Sequence, residues 1–95
     1  MYRNKHILKH AQMFPCMSCG RDDGTVVAAH SNSQQDGKGL GIKASDYRVA
    51  YLCSQCHHAV DQGGMSKQQK REVWLAAHYK TIGALFEAGL IEVKA

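Results

Sequence analysis

Apolar residues recur most regularly in the last third of the chain. From KQQKREVWLAAHYK into the residue after it, Val73, Trp74, Ala77 and Thr81 return at steps of three and four, the spacing of one helical face. Ser66 stands where an N-cap is expected, the stripe continues through Ile82, Leu85 and Phe86, and Gly89 is placed to stop the helix as its C′ residue. This stripe reads as core rather than as a cofactor site. His78 lies on the same helix with no cysteine or carboxylate partner nearby in sequence, and is expected to be an ordinary, partly exposed histidine. LIEV at 90–93 suggests a last strand. Upstream the periods are shorter. Residues 25–28, after the turn Asp22-Asp23-Gly24, and residues 47–52 (YRVAYL) read as strands, with His30 at the end of the first. Residues 53–62 read as a helix stopped by Gly63-Gly64, and the polar stretch 31–45, with Gly37, Gly39 and Gly41, reads as a loop. Residues 1–14 form a short helix or a loose arm whose apolar side is Ile7, Leu8 and Ala11, and Pro15 calls for an extended approach into the next turn. No internal repeat and no linker divides the chain, so residues 1–95 are expected to be one domain.

Composition changes the picture by adding a need. A chain of 95 residues, 44% hydrophobic but only 7% aromatic, buries a modest core and gains from an additional staple. No stretch approaches the ~18 apolar residues of a membrane span, and MYRNKHILKH is followed by no apolar run or small-residue cleavage site. A membrane or secreted protein is therefore not expected, and the cytoplasm is. The net charge of +4 tilts toward an anionic partner such as nucleic acid.

The cysteines supply the staple. Cys16, Cys19, Cys53 and Cys56 form two CxxC pairs separated by 33 residues, the spacing of a tetrahedral zinc site. Gly20 can take the positive φ that such a knuckle often needs after its second cysteine. Two disulfides or a redox CxxC are the competing readings, disfavoured by the lack of a secretion signal and of a βαβ pattern. A closed four-cysteine shell catalyses nothing, but its apparent contribution is on the order of 10 kcal/mol, comparable to the whole stability of a small domain.

The chemistry-bearing run is LCSQCHHAVD. On a helix opening near Cys56, His57 and Asp61 are four residues apart and share a face, so one imidazole and one carboxylate can hold a second, catalytic divalent ion with open positions for water and substrate. A spare zinc ligand, or a hydrogen-bonding partner of a cysteine sulfur, is the plainer alternative for His57. His58 points about 100° away round the helix, toward solvent or a substrate phosphate. His30, in VVAAHSN, can present a neutral imidazole to the same cleft as a general base. Asp46 reads equally as a turn or cap residue. GKGLGIK lacks the GxxxxGK[ST] spacing of a P-loop, so Lys38 and Lys43 read as a basic, backbone-exposed segment that approaches a phosphate strand.

The order of a CxxC knuckle, a strand ending in AH, the loop GKGLGIKASD and then YLCSQCHHAVD resembles the HNH (ββα-metal) nucleases built on a zinc-stabilised treble clef. It is most similar to small phage- and prophage-encoded HNH-type proteins that share an AH, a GxGxK loop with an Asp, and LCxxCH followed by an acidic residue or His. The likeness covers residues 14–64 in its motifs, and the tail with Trp74 and GLIEVKA also resembles that group. It implies an α+β fold, a treble-clef domain with a C-terminal helical extension over residues 65–95. It also implies a metal-dependent endonuclease hydrolysing DNA in the bacterial host cytoplasm, with His30 as base, Asp46 in the middle position, and His57 with Asp61 on one Mg²⁺, Mn²⁺ or Zn²⁺ ion. Two departures stand out. Ala29 occupies a position where many such enzymes carry a metal-binding Asp or His, and the middle Asn is absent from its usual place, with Asp46 and Asn32 as substitutes. The alternative is a non-catalytic zinc module that binds DNA or a protein partner in phage recombination or replication.

Overall fold

The computed structural model describes residues 2–39 and 41–94; Leu40 of the glycine-rich loop, Met1 and Ala95 lie outside them. The amino-terminal segment does form a short helix, α1 (Lys5–Lys9), because the Asn4 side chain accepts from the His6 N–H and caps it. A 3-10 turn, His10–Met13, follows. Ile7 and Ala11 are buried and Leu8 packs against them.

Two strands pair antiparallel, β1 (Val27–His30) with β2 (Val49–Leu52), in the register Val27 opposite Leu52 and His30 opposite Val49. The first lies two residues later than the expected 25–28, and the second is shorter than the expected 47–52. Residue 25 does not join the ladder because its side chain and N–H close an Asx turn onto Asp23 Oδ1, while Thr25 Oγ1 also accepts from the Ser54 N–H. Residues 47 and 48 belong to a turn in which the Arg48 N–H donates to the Ser45 carbonyl. All four residues of β2 are buried, which explains why VAYL shows no clean alternation.

The second helix, α2 (Ser54–Gln62), starts on Cys53 as N-cap and stops at Gly63, as its sequence predicts. The third, α3 (Lys67–Glu87), begins with a reciprocal capping box between Ser66 and Gln69. Trp74, Ala77, Thr81 and Leu85 are buried along it, whereas Phe86, expected on the same stripe, is exposed. A two-stranded sheet leaves an open edge on each strand, and α3 side chains bond that of β2: Thr81 Oγ1 accepts from the Tyr51 N–H at 3.0 Å and donates to the Ala77 carbonyl at 2.8 Å. Thr81 is therefore a satisfied polar plug in an apolar stripe. On the other side, the Tyr51 hydroxyl donates to the Ile7 carbonyl, and burial pushes that phenol up to about 12.

Two expectations are corrected. The segment 90–93 is not a strand: Gly89 turns left-handed at φ +73°, and the N–H groups of Leu90 and Ile91 both donate to the Leu85 carbonyl, folding the chain back so that Leu90 and Ile91 pack on the core. His78 is not partly exposed but 5% accessible, for reasons that emerge from its contacts. Its Nδ1–H donates to the Val49 carbonyl at 2.7 Å, and its ring stacks on Trp74 with centroids 4.9 Å apart. The architecture is α+β, and no described helix is long and apolar enough to cross a membrane.

Candidate functional site

Pro15 sets Phe14 extended, and the chain then turns tightly: the Gly20 N–H donates to the Cys16 carbonyl, with Gly20 at φ +80°. The Met17 N–H bonds the Tyr51 carbonyl, which fixes this knuckle beside β2. The second pair lies where β2 gives way to α2, Cys53 capping the helix and Cys56 on its first turn. All four thiols are free, and their Sγ atoms lie within 4.8 Å of one another. Cys19 Sγ and Cys53 Sγ are 3.7 Å apart, close to the edge of about 3.8 Å in a tetrahedron with Zn–S bonds of ~2.3 Å. The donor set thus fits a structural metal such as zinc, one ligand from each cysteine.

The electrostatics of the cluster agree with that fit. Burial opposes charge on Cys16, but backbone N–H donors, those of Ser18 and Cys19 among them, outweigh it and bring the thiol down to about 6. Cys56 is driven the other way, to about 12, by burial and by its contacts with the other three sulfurs. Neighbouring thiols without a cation cannot all ionise, so loading a metal must displace protons.

A cleft of about 940 Å³ opens between the end of β1, residues 32–35, α2 and the first turns of α3. His30, His57 and Asp61 all line it, so the structure brings these three sequence candidates to one place. They do not gather as tightly as the thiols. Among the described residues, the cysteines are the one group of three or more ligating side chains within mutual reach of an ion. His57 and Asp61 stand one turn apart on α2, and Asp61 Oδ1 accepts from Asn32 Nδ2 at 3.0 Å. Asn32 thus ties the loop after β1 to α2 instead of bracing His30.

Asp46 holds that second role. Its Oδ1 is 2.8 Å from His30 Nε2, so the carboxylate accepts from an Nε2–H imidazole and leaves the lone pair on Nδ1. The carboxylate is held in turn by the amino-terminal segment. The Asn4 N–H donates to Oδ2 at 2.7 Å, and Arg3 Nη1 lies 3.3 Å from Oδ1. Asp46 is almost fully buried, which works against its charge, but the bonds from His30, Asn4 and Arg3 outweigh burial and keep its carboxyl below the usual carboxylate range. Ala29 offers no side-chain ligand; its methyl is in the core and its carbonyl accepts from Trp74 Nε1 at 2.9 Å.

The far wall of the cleft rests on a network that sequence reasoning missed. Asp36 Oδ2 accepts from Arg71 Nη1 at 2.7 Å and from the buried Ser31 hydroxyl at 2.6 Å. Burial of Asp36 is again outweighed, by Arg71 and Ser31, so its carboxyl too sits low. The Arg71 guanidinium also lies over the Trp74 ring, 5.2 Å from its centroid. The one signal in sequence was helical: Arg71, Trp74 and His78 recur at steps of three and four on one face. Arg3 and Asn4, more than 40 positions from Asp46, left no local signal at all.

Lys38 and Lys43 are not part of this cleft. Lys43 is exposed and its carbonyl accepts from Arg3 Nη2 at 2.9 Å, while Lys38 is half-buried within the glycine loop. His58 opens instead onto a shallower neighbouring depression with Thr25, Val27 and Ser54, which His57 and Asp61 also border. In comparisons with known proteins, the chain matches no family model, no curated protein and no solved structure.

Proposed function

We propose that this chain is a metal-dependent endonuclease of the HNH type, built on a zinc-stabilised treble clef, that hydrolyses DNA phosphodiester bonds. The observation that carries the reading is the His30–Asp46 pair at 2.8 Å, with His30 lining the cleft that His57 and Asp61 share. A buried carboxylate on Nε2–H fixes the tautomer and stabilises the imidazolium that forms once Nδ1 accepts a proton. In the proposed reaction Nδ1 removes a proton from water, the oxygen bonds to phosphorus, the P–O3′ bond breaks, and the leaving oxygen takes a proton from solvent. His57 and Asp61 would hold the catalytic divalent ion, whose contribution is to offset charge on the phosphoryl oxygens and the leaving group. Two protein ligands, with water completing the shell, fit one hard cation better than a pair of ions. The proposed reaction belongs to the cytoplasm, that of the bacterial host for a phage-encoded chain.

A second reading, a non-catalytic zinc module that binds DNA or a protein in phage recombination or replication, is favoured by one observation. Ala29 supplies a core methyl where many HNH enzymes have a ligand, and among the described residues no third ligating side chain joins His57 and Asp61 within reach of one ion. Supercoiled plasmid incubated with the zinc-loaded chain and Mg²⁺ or Mn²⁺ separates the two. Metal-dependent nicking that falls by about 10²-fold or more in His30→Ala supports the enzyme. Nicking that is equal in His30→Ala, or absent with every metal in a chain that still binds DNA, removes the catalytic reading. Asp46→Asn should reduce nicking as well, because an amide can present its NH₂ to the ring and reverse the tautomer.

A further inference from the structure

The basic residues that sequence assigns to phosphate, Lys38 and Lys43, stand away from the cleft, while two lysines that no motif marks line it: Lys67 and Lys70, on the first turns of α3. They are three residues apart on the helix, about 4.5 Å along its axis, and therefore share one face. Among the described residues neither makes an ion pair. The acidic groups nearest them are already engaged by other residues. Arg71 and Arg48 both reach Asp36, and Glu72, the acidic residue nearest on α3, accepts from Gln68 and does not line the cleft. Across the gap stand His30 and His57, and the cleft's one carboxylate is Asp61. The α3 wall therefore brings two positive charges without an ion-pair partner among the described residues to the cleft that the histidine pair also lines.

We propose that Lys67 and Lys70 are the phosphate-binding track that seats a DNA strand across this cleft, so that a phosphate next to the bound pair lies against His30 and His57. The proposal rests on the nuclease reading for its substrate, but concerns binding alone. Phosphates recur every ~3.4 Å of axis along one strand, so two lysines one helical turn apart can meet separate phosphates. Each ammonium neutralises one charge and releases one condensed counterion, without reading bases. Arg71 is different in kind: its guanidinium is held by Asp36, Ser31 and the Trp74 ring, and it shapes the wall.

The zinc-loaded full chain is titrated onto a short fluorescein-labelled DNA duplex without added divalent cation, following anisotropy over a range of NaCl concentrations. Lys67→Ala/Lys70→Ala should weaken binding by roughly tenfold at low salt and reduce the log–log salt slope by about 2, one for each lost phosphate contact. Lys38→Ala/Lys43→Ala should leave both within twofold of wild type, roughly the change expected where no phosphate is contacted. Trp74, the chain's sole tryptophan, should be quenched by the duplex in wild type and not in the Lys67/Lys70 variant. Among the described residues neither lysine makes an ion pair, and alanine favours the helix, so retained zinc content and circular dichroism verify folding. A slope unchanged in Lys67→Ala/Lys70→Ala, a slope lost in the Lys38/Lys43 variant instead, or a wild type that binds no duplex overturns the track. Plasmid nicking tells the two proposals apart: lysine-dependent binding without nicking keeps the track and removes the enzyme, while nicking at wild-type rate in Lys67→Ala/Lys70→Ala keeps the enzyme and removes the track.

Discussion

His78 is where residue-level chemistry departs furthest from what its neighbours in sequence suggest. Burial pushes its imidazole below the ordinary histidine range, and the bond to the Val49 carbonyl only partly offsets that. The neutral form is therefore the folded form. In the unfolded chain His78 titrates near 6.5, so as pH falls below that value the unfolded state takes up a proton that the native state refuses. Stability is then lost down to the lower native pKa, with a slope that approaches ~1.4 kcal/mol per pH unit for one proton. His78→Phe keeps the stack on Trp74 but leaves the Val49 carbonyl without this donor. Urea titrations of the zinc-loaded chain should show it about 1–3 kcal/mol less stable at pH 8, with a gap to wild type that narrows toward pH 5. A constant gap would mean that His78 does not titrate with folding. Sequence placed His78 on the correct helix, yet its burial is decided by β2, which lies 29 positions away. The same distance effect divides the cleft. His30, His57, Asp61 and Asp46 were legible because short motifs carry them, but Arg3, Asn4, Asp36 and Arg71 act across chain separations that no local pattern records.

At the scale of elements, each helix end the sequence marks is an end the structure uses: Ser66 caps α3 with Gln69 answering, Gly63 stops α2, and Gly89 turns the chain left-handed. These signals are local, because a cap satisfies N–H or C=O groups within one turn. Strand limits were less legible, since Thr25 could serve a ladder or a turn and only the presence of Asp23 and Ser54 around it decided the matter. Packing between elements is the least legible of all, and the Asp36–Arg71 pair illustrates it by joining the loop after β1 to α3 across 35 positions. Asp36→Asn should lower stability at neutral pH by about 1–3 kcal/mol, since Arg71 loses its charged acceptor while its guanidinium stays partly buried. The Trp74 environment reports the same event, because the guanidinium over the indole is no longer held in place. Thermal melts followed by tryptophan emission measure both. An Asp36→Asn chain with the wild-type midpoint and spectrum would show that α3 is positioned by its apolar face alone.

The whole molecule depends on a small core. Two four-residue strands, a five-residue α1 and a nine-residue α2 are each too short to persist by themselves, since isolated helices below ~12–15 residues are marginal in water. The cysteine cluster joins the two halves of this assembly, holding the knuckle at 16–19 against the junction of β2 and α2. A metal there is worth an apparent ~10–16 kcal/mol for zinc in small domains at neutral pH, as much as or more than the ~5–15 kcal/mol that such domains possess in total. Native mass spectrometry should accordingly find one zinc per chain, and a strong chelator should abolish cooperative melting. The loss of helical dichroism should be partial, because α3 has 21 residues and its own capping box. Zinc binding followed by calorimetry in buffers of different ionisation enthalpy should show proton release at neutral pH, because thiols of the zinc-free chain, with an ordinary pKa of about 8.5, are mostly protonated there. The consequence reaches the cleft, because His57 is the residue after Cys56 and Asp61 follows one turn later on α2. Chelated protein should neither bind duplex DNA at low salt nor nick plasmid, and Mg²⁺ alone should restore neither, whereas zinc followed by Mg²⁺ should restore both. A chain that keeps its cooperative melt and its DNA binding after quantitative removal of zinc would refute the assignment of the four cysteines as the staple of this fold.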